Sequence, residues 1–169
     1  MWPMRALCLA AIGAIAVAAA GTSAVALPAK ARISHAGLGP IKLGMTEREI
    51  ERAGKRPIRV QASPGLTCAS AKLAGKTYGL FTGKRLRRIY IRTPLFATAE
   101  GIRVGSPEAR VLAAYPGKLK RVPQFYVPDE DNLILSKGER KVVFTLTGGK
   151  VSEISTGRKP EIDYVEGCA

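Results

Sequence analysis

The chain has 169 residues, with 27 Lys and Arg against 13 Asp and Glu and a formal net charge of +14 at pH 7. This composition excludes an acidic or neutral protein. No run of about 18 apolar residues follows the N-terminal segment, which argues against a protein that spans a membrane with helices. The length leaves room for one domain with a real core, or for two small halves that share one.

Residues 1–26 have the pattern of a secretory signal peptide. Arg5 supplies a positive charge, residues 6–20 form an apolar run of small and aliphatic residues, and Ala24-Val25-Ala26 is an A-x-A cleavage site. Residues 27–36 are expected to form a flexible N-terminal arm. We therefore expect a bacterial periplasmic or secreted protein, with no transmembrane segment in the mature chain.

Cysteine usage agrees with export. Cys8 lies in the signal peptide, and the residues before it do not form a lipobox, so the mature chain holds Cys68 and Cys168. Two thiols in an oxidising compartment most simply form one disulfide. Two free thiols are the alternative.

Two sequence blocks occur twice in the same order. Residues 41–47 (IKLGMTE) recur as residues 102–108 (IRVGSPE), and residues 81–89 (FTGKRLRRI) recur as residues 146–154 (LTGGKVSEI). The offsets are 61 and 65 residues. The pattern predicts an internal duplication, with coincidental similarity of short glycine-containing strings as the alternative.

Each copy begins with a helix signal. Thr46 and Glu49 have capping-box spacing, and Gly54 is placed to end the first helix at its C′ position. In the second copy Ser106 is the predicted N-cap and Pro107 the first helical residue. Helices of about eight to ten residues are marginal alone in water, so both must dock on an apolar surface.

Antiparallel strands are predicted after each helix. The predicted strands are Lys76–Phe81, Leu86–Arg92, Lys141–Leu146 and Val151–Thr156, with weaker candidates at Leu66–Ser70 and Leu133–Ser136. Residues 82–84 and 147–149 have hairpin-turn composition. Helices on one face of an antiparallel sheet define the α+β class. We predict two tandem α+β repeats, residues 37–99 and 100–169, packed as one domain with the other sheet face open.

Residues typical of catalytic sites are scarce. The single histidine, His35, lies in the predicted arm, no G-x-S-x-G motif occurs, and residues 129–131 (Asp-Glu-Asp) lack the spacing of a calcium loop. We therefore predict no enzyme: no catalytic residue, no metal site and no cofactor. A hydrolase with a hidden site is a further alternative.

Positive charge is the clearest polar feature. Residues 84–92 contain five cations, and alternate side chains of a strand would share a face with Tyr90. The candidate binding residues of this strand are Arg85, Arg87, Arg88, Tyr90 and Arg92. They indicate an anion-attracting surface for glycan or lipid, or a generic basic surface. Nucleic acid is not an expected partner, because the leader directs the chain out of the cytoplasm.

Phe125 and Tyr126 form the second candidate. They lie between Pro123 and Pro128, and aromatics on a stiff loop suit contact with a partner because little entropy is lost on binding. The alternative is that they begin a buried strand.

The whole pattern resembles the tandem α+β repeat of the β-lactamase-inhibitor-protein-like fold. Each half is also similar to the small domain of the SmpA/OmlA outer-membrane assembly lipoproteins, although this chain lacks their lipobox. Gly37–Met45 and Glu166–Cys168 resemble the start and end of uncharacterised exported bacterial proteins. The resemblance implies protein–protein binding through the sheet face and loops. We expect an exported binding protein with an unknown envelope protein as partner, or alternatively an anionic envelope polymer.

Overall fold

The computed structural model describes residues 27, 28, 30–62, 65 and 67–167. Within this part the fold is α+β, with two α-helices and two mostly antiparallel sheets. The predicted signal peptide, residues 1–26, lies outside the described residues.

The two sheets differ in size. The elements in chain order are β1 (Arg32–Ser34), β2 (Gly37–Leu38), β3 (Ile41–Lys42), α1 (Glu47–Gly54), β4 (Val60–Ala62), β5 (Cys68–Lys72), β6 (Thr77–Thr82), β7 (Arg85–Ile91), β8 (Ala97–Thr98), α2 (Glu108–Ala114), β9 (Leu119–Pro123), β10 (Asp131–Lys137), β11 (Arg140–Thr147), β12 (Lys150–Arg158) and a short 3-10 helix (Glu161–Asp163). The small sheet has the order β3-β2-β1-β8, and the large antiparallel sheet has the order β4-β5-β6-β7-β12-β11-β10-β9.

The first helix, α1, begins at the predicted capping box. The Thr46 side chain accepts a hydrogen bond from the Glu49 N–H, and the Glu49 carboxylate accepts one from the Thr46 N–H at 2.7 Å. These bonds satisfy backbone donors that have no partner inside the helix. The end of the helix differs from the prediction. Gly54 is its last residue, and the left-handed residue that stops it is Lys55, with φ of 52°.

The second helix, α2, begins one residue later than predicted. Pro107 is its N-cap, with an extended backbone and no side-chain hydrogen bond. The hydroxyl of Ser106, the predicted cap, instead accepts a hydrogen bond from the Arg103 N–H at 3.1 Å. The turn before the helix therefore uses the group that would have capped it.

Each half of the chain supplies one helix and then four strands of the large sheet. Strands β4–β7 come from the first half and β9–β12 from the second, and they meet where β7 pairs with β12. Ile91 lies opposite Ile154 in this pair. The strand order of one half is therefore the mirror image of the other.

Similar turn geometry and hydrogen bonds occur in the two halves of the chain. The Gly44 N–H donates to the Leu86 carbonyl, and the Gly105 N–H donates to the Val151 carbonyl, both at 2.7 Å. Gly44 and Gly105 have φ of 91° and 89°. Both central hairpins also carry a register shift, at positions 65 residues apart. The residues that join the two blocks thus make the same contacts in each half.

Both predicted hairpin turns are confirmed. Gly83 and Lys84 have φ of 57° and 61°, and Gly148 and Gly149 have φ of 58° and 71°. Two consecutive residues with positive φ define the type I′ turn, whose twist matches that of the flanking strands.

The sequence does not predict β4 and β9, the two edge strands of the large sheet. β9 carries Lys120 and Arg121 and ends at Pro123. Charged residues and proline protect an edge strand from further pairing, and they also make it look less like a strand in the sequence.

The N-terminal segment, residues 27–36, also differs from the predicted flexible arm. Residues 27–36 include β1, which pairs with β2 and β8, and Ile33 is only 2% exposed. This segment is part of the fold because its alternate residues are apolar.

One face of the large sheet carries the core. Ile50 of α1 and Val111 of α2 are buried in the same cluster as Ile91 and Phe144 of the sheet. The ring of Tyr115, just after α2, lies 5.6 Å from that of Phe144. The two halves therefore share one hydrophobic interior, and the opposite sheet face lies outside it.

Candidate binding groove

The open face of the large sheet forms a groove of about 900 Å³. Its floor consists of side chains from β7, β12, β11, β10 and β9. One wall is the loop that follows β9, and the other is the C-terminal segment after β12. Five of the seven candidate residues line it: Arg88, Tyr90, Arg92, Phe125 and Tyr126.

Arg85 and Arg87 lie outside the groove. The register shift between β6 and β7 displaces the alternation of side chains along β7. Arg85 Nη1 donates to the Gly44 carbonyl at 2.9 Å, and Arg87 Nε lies 3.6 Å from a carboxylate oxygen of Glu161. Both guanidinium groups therefore serve contacts within the fold.

The floor of the groove is apolar at its centre. One row of cross-strand neighbours crosses five strands and consists of Lys120, Ile134, Val143, Ser155 and Tyr90. Neighbours in such a row have side chains on the same face, close enough to touch. The row places two aliphatic side chains between polar ends, a surface suited to a ligand that is itself part apolar.

Two aromatic rings form the rim. Phe125 is 73% exposed and Tyr126 is 64% exposed, and their rings pack edge to face with centroids 5.0 Å apart. They do not begin a buried strand, because they lie in the loop between β9 and β10. The Tyr126 hydroxyl donates to the Glu166 carboxylate, which links the two walls. This hydrogen bond raises the pKa of Tyr126.

The C-terminal segment lies directly on the sheet. Arg88 Nη1 donates to the Tyr164 carbonyl at 2.8 Å, and the guanidinium carbon of Arg88 lies 4.4 Å from the centre of the Tyr90 ring. Burial is the main cause that raises the pKa of Tyr90. The side chains of Tyr164 and Val165 stay partly exposed at the edge of the groove. This face of the sheet thus already holds one polypeptide segment.

Of the four cations in the described part of the chain that line the groove, Arg92 and Lys141 are paired with carboxylates, whereas Arg88 donates to a backbone carbonyl. Arg92 Nε lies 2.6 Å from a Glu153 carboxylate oxygen, and Lys141 forms an ion pair with Asp163. Lys120 has no carboxylate within 4.0 Å among the described residues. A strongly anion-attracting field, expected from the basic strand, is therefore reduced where the groove lies.

Several groove residues escape a reading of the sequence. Ile134 and Val143 face the groove although their strands also bury core residues, and Tyr164 and Val165 lie in a segment without a predicted element. The available signals are the consecutive apolar residues 133–135 and 142–143, since a strand that is apolar on both sides can bury or contact apolar groups with both faces.

Cys68 is buried in β5 and disulfide-bonded. Its predicted partner, Cys168, lies outside the described residues, so the pairing stays a prediction.

His35 Nε2 lies 3.1 Å from the Leu135 carbonyl, which ties the β1–β2 turn to β10. Among the described residues no cluster of three or more potential His, Cys, Asp or Glu ligands occurs. No helix in that part of the chain is long and apolar enough to cross a bilayer.

Comparisons with known proteins identify the fold and not a family. No family matches the sequence, and no curated protein does. The uncharacterised protein yfeY from Escherichia coli has a similar structure, with a TM-score of 0.50 and 16% identity over 75% of this chain and 99% of that one. An extracellular protein containing an SCP domain from Bacillus anthracis str. Ames has a TM-score of 0.50 and 5% identity, over 69% of this chain and 44% of that one. This chain thus spans less than half of the Bacillus protein.

Proposed function

We propose that this chain is an exported, non-enzymatic binding protein that holds a polypeptide segment of a partner protein in the groove. The observation that carries the proposal is the exposed pair Phe125 and Tyr126 on the rim of an apolar-centred groove. Large, rigid aromatic side chains dominate binding energy at protein interfaces because they bury much area and lose little entropy.

A polypeptide is the favoured ligand because the C-terminal segment of the chain already lies on the same sheet face. Arg88 binds the backbone carbonyl of Tyr164, a contact that any peptide can offer whatever its sequence. The pairing of Arg92 with Glu153 and of Lys141 with Asp163 reduces the positive charge that the groove offers to an anionic polymer. Specificity would come from the aromatic rim and the aliphatic floor.

Export is supported by three independent features. The first 26 residues have the pattern of a signal peptide, Cys68 is disulfide-bonded, and one structural neighbour is an extracellular protein. Disulfides persist mainly in oxidising compartments. The proposed location is the bacterial periplasm or the exterior.

The proposal includes an internal duplication of the β-lactamase-inhibitor-protein-like type. Its support is the pair of equivalent hydrogen bonds, Gly44 to Leu86 and Gly105 to Val151, and the mirrored strand order. These positions differ by 61 and 65 residues, as the repeated sequence blocks do.

Peptide selection tests the groove. A displayed library of random peptides is selected against the folded protein, and binding of an enriched peptide is measured by fluorescence anisotropy at low and high salt. The double variant Phe125→Ala/Tyr126→Ala is expected to weaken binding by about tenfold to a hundredfold. High salt is expected to have little effect, because the contact is mainly apolar.

The matched control is Leu95→Ala, in the loop between β7 and β8. Leu95 is 66% exposed and does not line the groove, so this variant removes a comparably exposed apolar side chain and should bind as the wild type does. Equal binding by all three proteins, or failure to enrich any peptide, would contradict the proposal. Binding that collapses at high salt would favour an anionic ligand instead.

A further inference from the structure

A second cavity, of about 610 Å³, lies on the opposite face of the large sheet from the groove. The turn between β10 and β11, the end of β12 and the turn between β1 and β2 surround it. Its charged lining consists of Lys137, Glu139, Arg140 and Arg158, with His35 beside them. None of these residues lies in the basic strand that the sequence singles out.

Three cations of this cavity form one row. Lys137 of β10 is the register partner of Arg140 of β11, and Arg140 is the partner of Arg158 of β12. Cross-strand partners have side chains on the same face within contact distance, and like charges placed directly opposite destabilise a sheet. Such a row needs negative charge nearby.

The chain supplies only part of that negative charge. Glu139 lies 2.6 Å from Arg158 Nη2 and 3.0 Å from Arg158 Nε, so its carboxylate is engaged by one guanidinium. Lys137 and Arg140 have no carboxylate within 4.0 Å among the described residues, and both are exposed. Two positive charges of the row therefore face the cavity without a counter-charge.

The frame around the row is well held. His35 Nε2 lies 3.1 Å from the Leu135 carbonyl, and the Thr156 hydroxyl donates to the Ser34 carbonyl at 2.8 Å. These bonds fix the β1–β2 turn against β10 and β12, so the cavity keeps its shape without a ligand. A preformed cavity lowers the entropy lost on binding.

We propose that this cavity binds a phosphate-bearing ligand through Lys137, Arg140 and Arg158. A phosphate group carries up to two charges and several acceptor oxygens, which match the planar donors of guanidinium and the point charge of ammonium. The site lies on the other face of the sheet from the groove, so it stands or falls independently of the proposed function.

The test uses sodium pyrophosphate as the probe at constant ionic strength, with binding followed by amide shifts in ¹H–¹⁵N NMR spectra. Saturable shifts are expected at residues 137–140 and 158. The double variant Lys137→Gln/Arg140→Gln is expected to bind at least about tenfold more weakly. The control Arg48→Gln/Lys118→Gln removes the same charge from exposed sites elsewhere, and should stay within about twofold of the wild type, since distant exposed charges are screened.

A second arm distinguishes a soluble phosphate from a lipid headgroup. Cosedimentation with phosphatidic acid vesicles that is lost in Lys137→Gln/Arg140→Gln assigns a lipid headgroup, whereas pyrophosphate binding without vesicle binding assigns a soluble phosphate. Equal weakening by both double variants would show that net charge alone is responsible and would overturn the site. If neither pyrophosphate nor phosphatidic acid vesicles bind saturably, the proposed phosphate site is also overturned. The NMR spectrum of each variant reports whether its fold is intact.

Discussion

At the scale of single residues, the hydroxyl of Tyr115 is a buried polar group with two hydrogen-bond partners. It donates to the Glu100 carboxylate and lies 2.8 Å from the Thr98 hydroxyl oxygen. Burial, and next the hydrogen bond to Glu100, raise the pKa of Tyr115. The phenol therefore stays neutral and can donate a hydrogen bond at neutral pH.

Tyr115→Phe is expected to lower the free energy of unfolding by about 1–3 kcal/mol, because the buried Thr98 hydroxyl and the exposed Glu100 carboxylate lose a hydrogen-bond partner while the ring still packs on Phe144. Urea denaturation measures the change. Tyr78→Phe is the control: its side chain is 39% exposed, and its hydroxyl has no hydrogen-bond partner among the described residues. An equal loss in both variants would show that the Tyr115 hydroxyl has no special role.

At the scale of elements, the N-terminus of α1 is capped by the charged carboxylate of Glu49. Hydrogen bonds from the Thr46 backbone, and next from its side chain, lower the pKa of Glu49 from the ordinary 4.5. A lowered pKa in the folded state means that the charged carboxylate stabilises the fold above the ordinary pKa, and that this contribution is lost as the pH falls through the folded-state value.

The capping box therefore makes the free energy of unfolding depend on pH, with its contribution lost in acid. The difference in unfolding free energy between wild type and Glu49→Gln is expected to be present near about pH 7 and to shrink toward about pH 3. Chemical denaturation across that range measures it. Glu47→Gln, an exposed residue of the same helix, controls for the loss of charge. The same pH dependence in both variants would contradict a role for the Thr46–Glu49 hydrogen bonds.

The sequence predicts those elements whose signals are local. The alternation through Val142, Phe144 and Leu146 predicts β11, and the glycine turns predict both hairpins. Features that depend on long-range pairing are not predicted. The row of Lys137, Arg140 and Arg158 exists only through the register of three strands, and no spacing in the sequence indicates it. The bulge that separates Arg85 from the groove is likewise set by pairing with β6.

The same distinction explains what the sequence shows of the groove. Phe125 and Tyr126 are identified because they are aromatic residues between two prolines, a pattern that favours a stiff loop at a contact surface. The C-terminal wall at Tyr164 and Val165 is not, since its place on the sheet depends on the contact with Arg88, 76 residues earlier in the chain. A site between two distant segments requires the fold to be known.

At the scale of the whole molecule, neither half has a complete interior. The buried cluster runs from Ile33 near the N-terminus through Ile91 to Ile154 near the C-terminus without a break. The large sheet is continuous only because β7 pairs with β12. Domains of about 60 residues bury a smaller share of their surface than larger domains do and are marginal alone.

Separate halves are therefore expected not to fold. A fragment of residues 27–99 should show narrow amide dispersion in its NMR spectrum, because the free edge of β7 and the apolar face around Ile91 would be exposed to water. Mixing it with a fragment of residues 100–169 should restore the dispersed spectrum of the whole chain. The control is the full-length protein cut by a protease at a site introduced between residues 99 and 100, which should keep its spectrum because no core contact is removed. A dispersed spectrum from either fragment alone would show that the halves are independent domains, and the shared core would then be a consequence of docking and not a condition for folding.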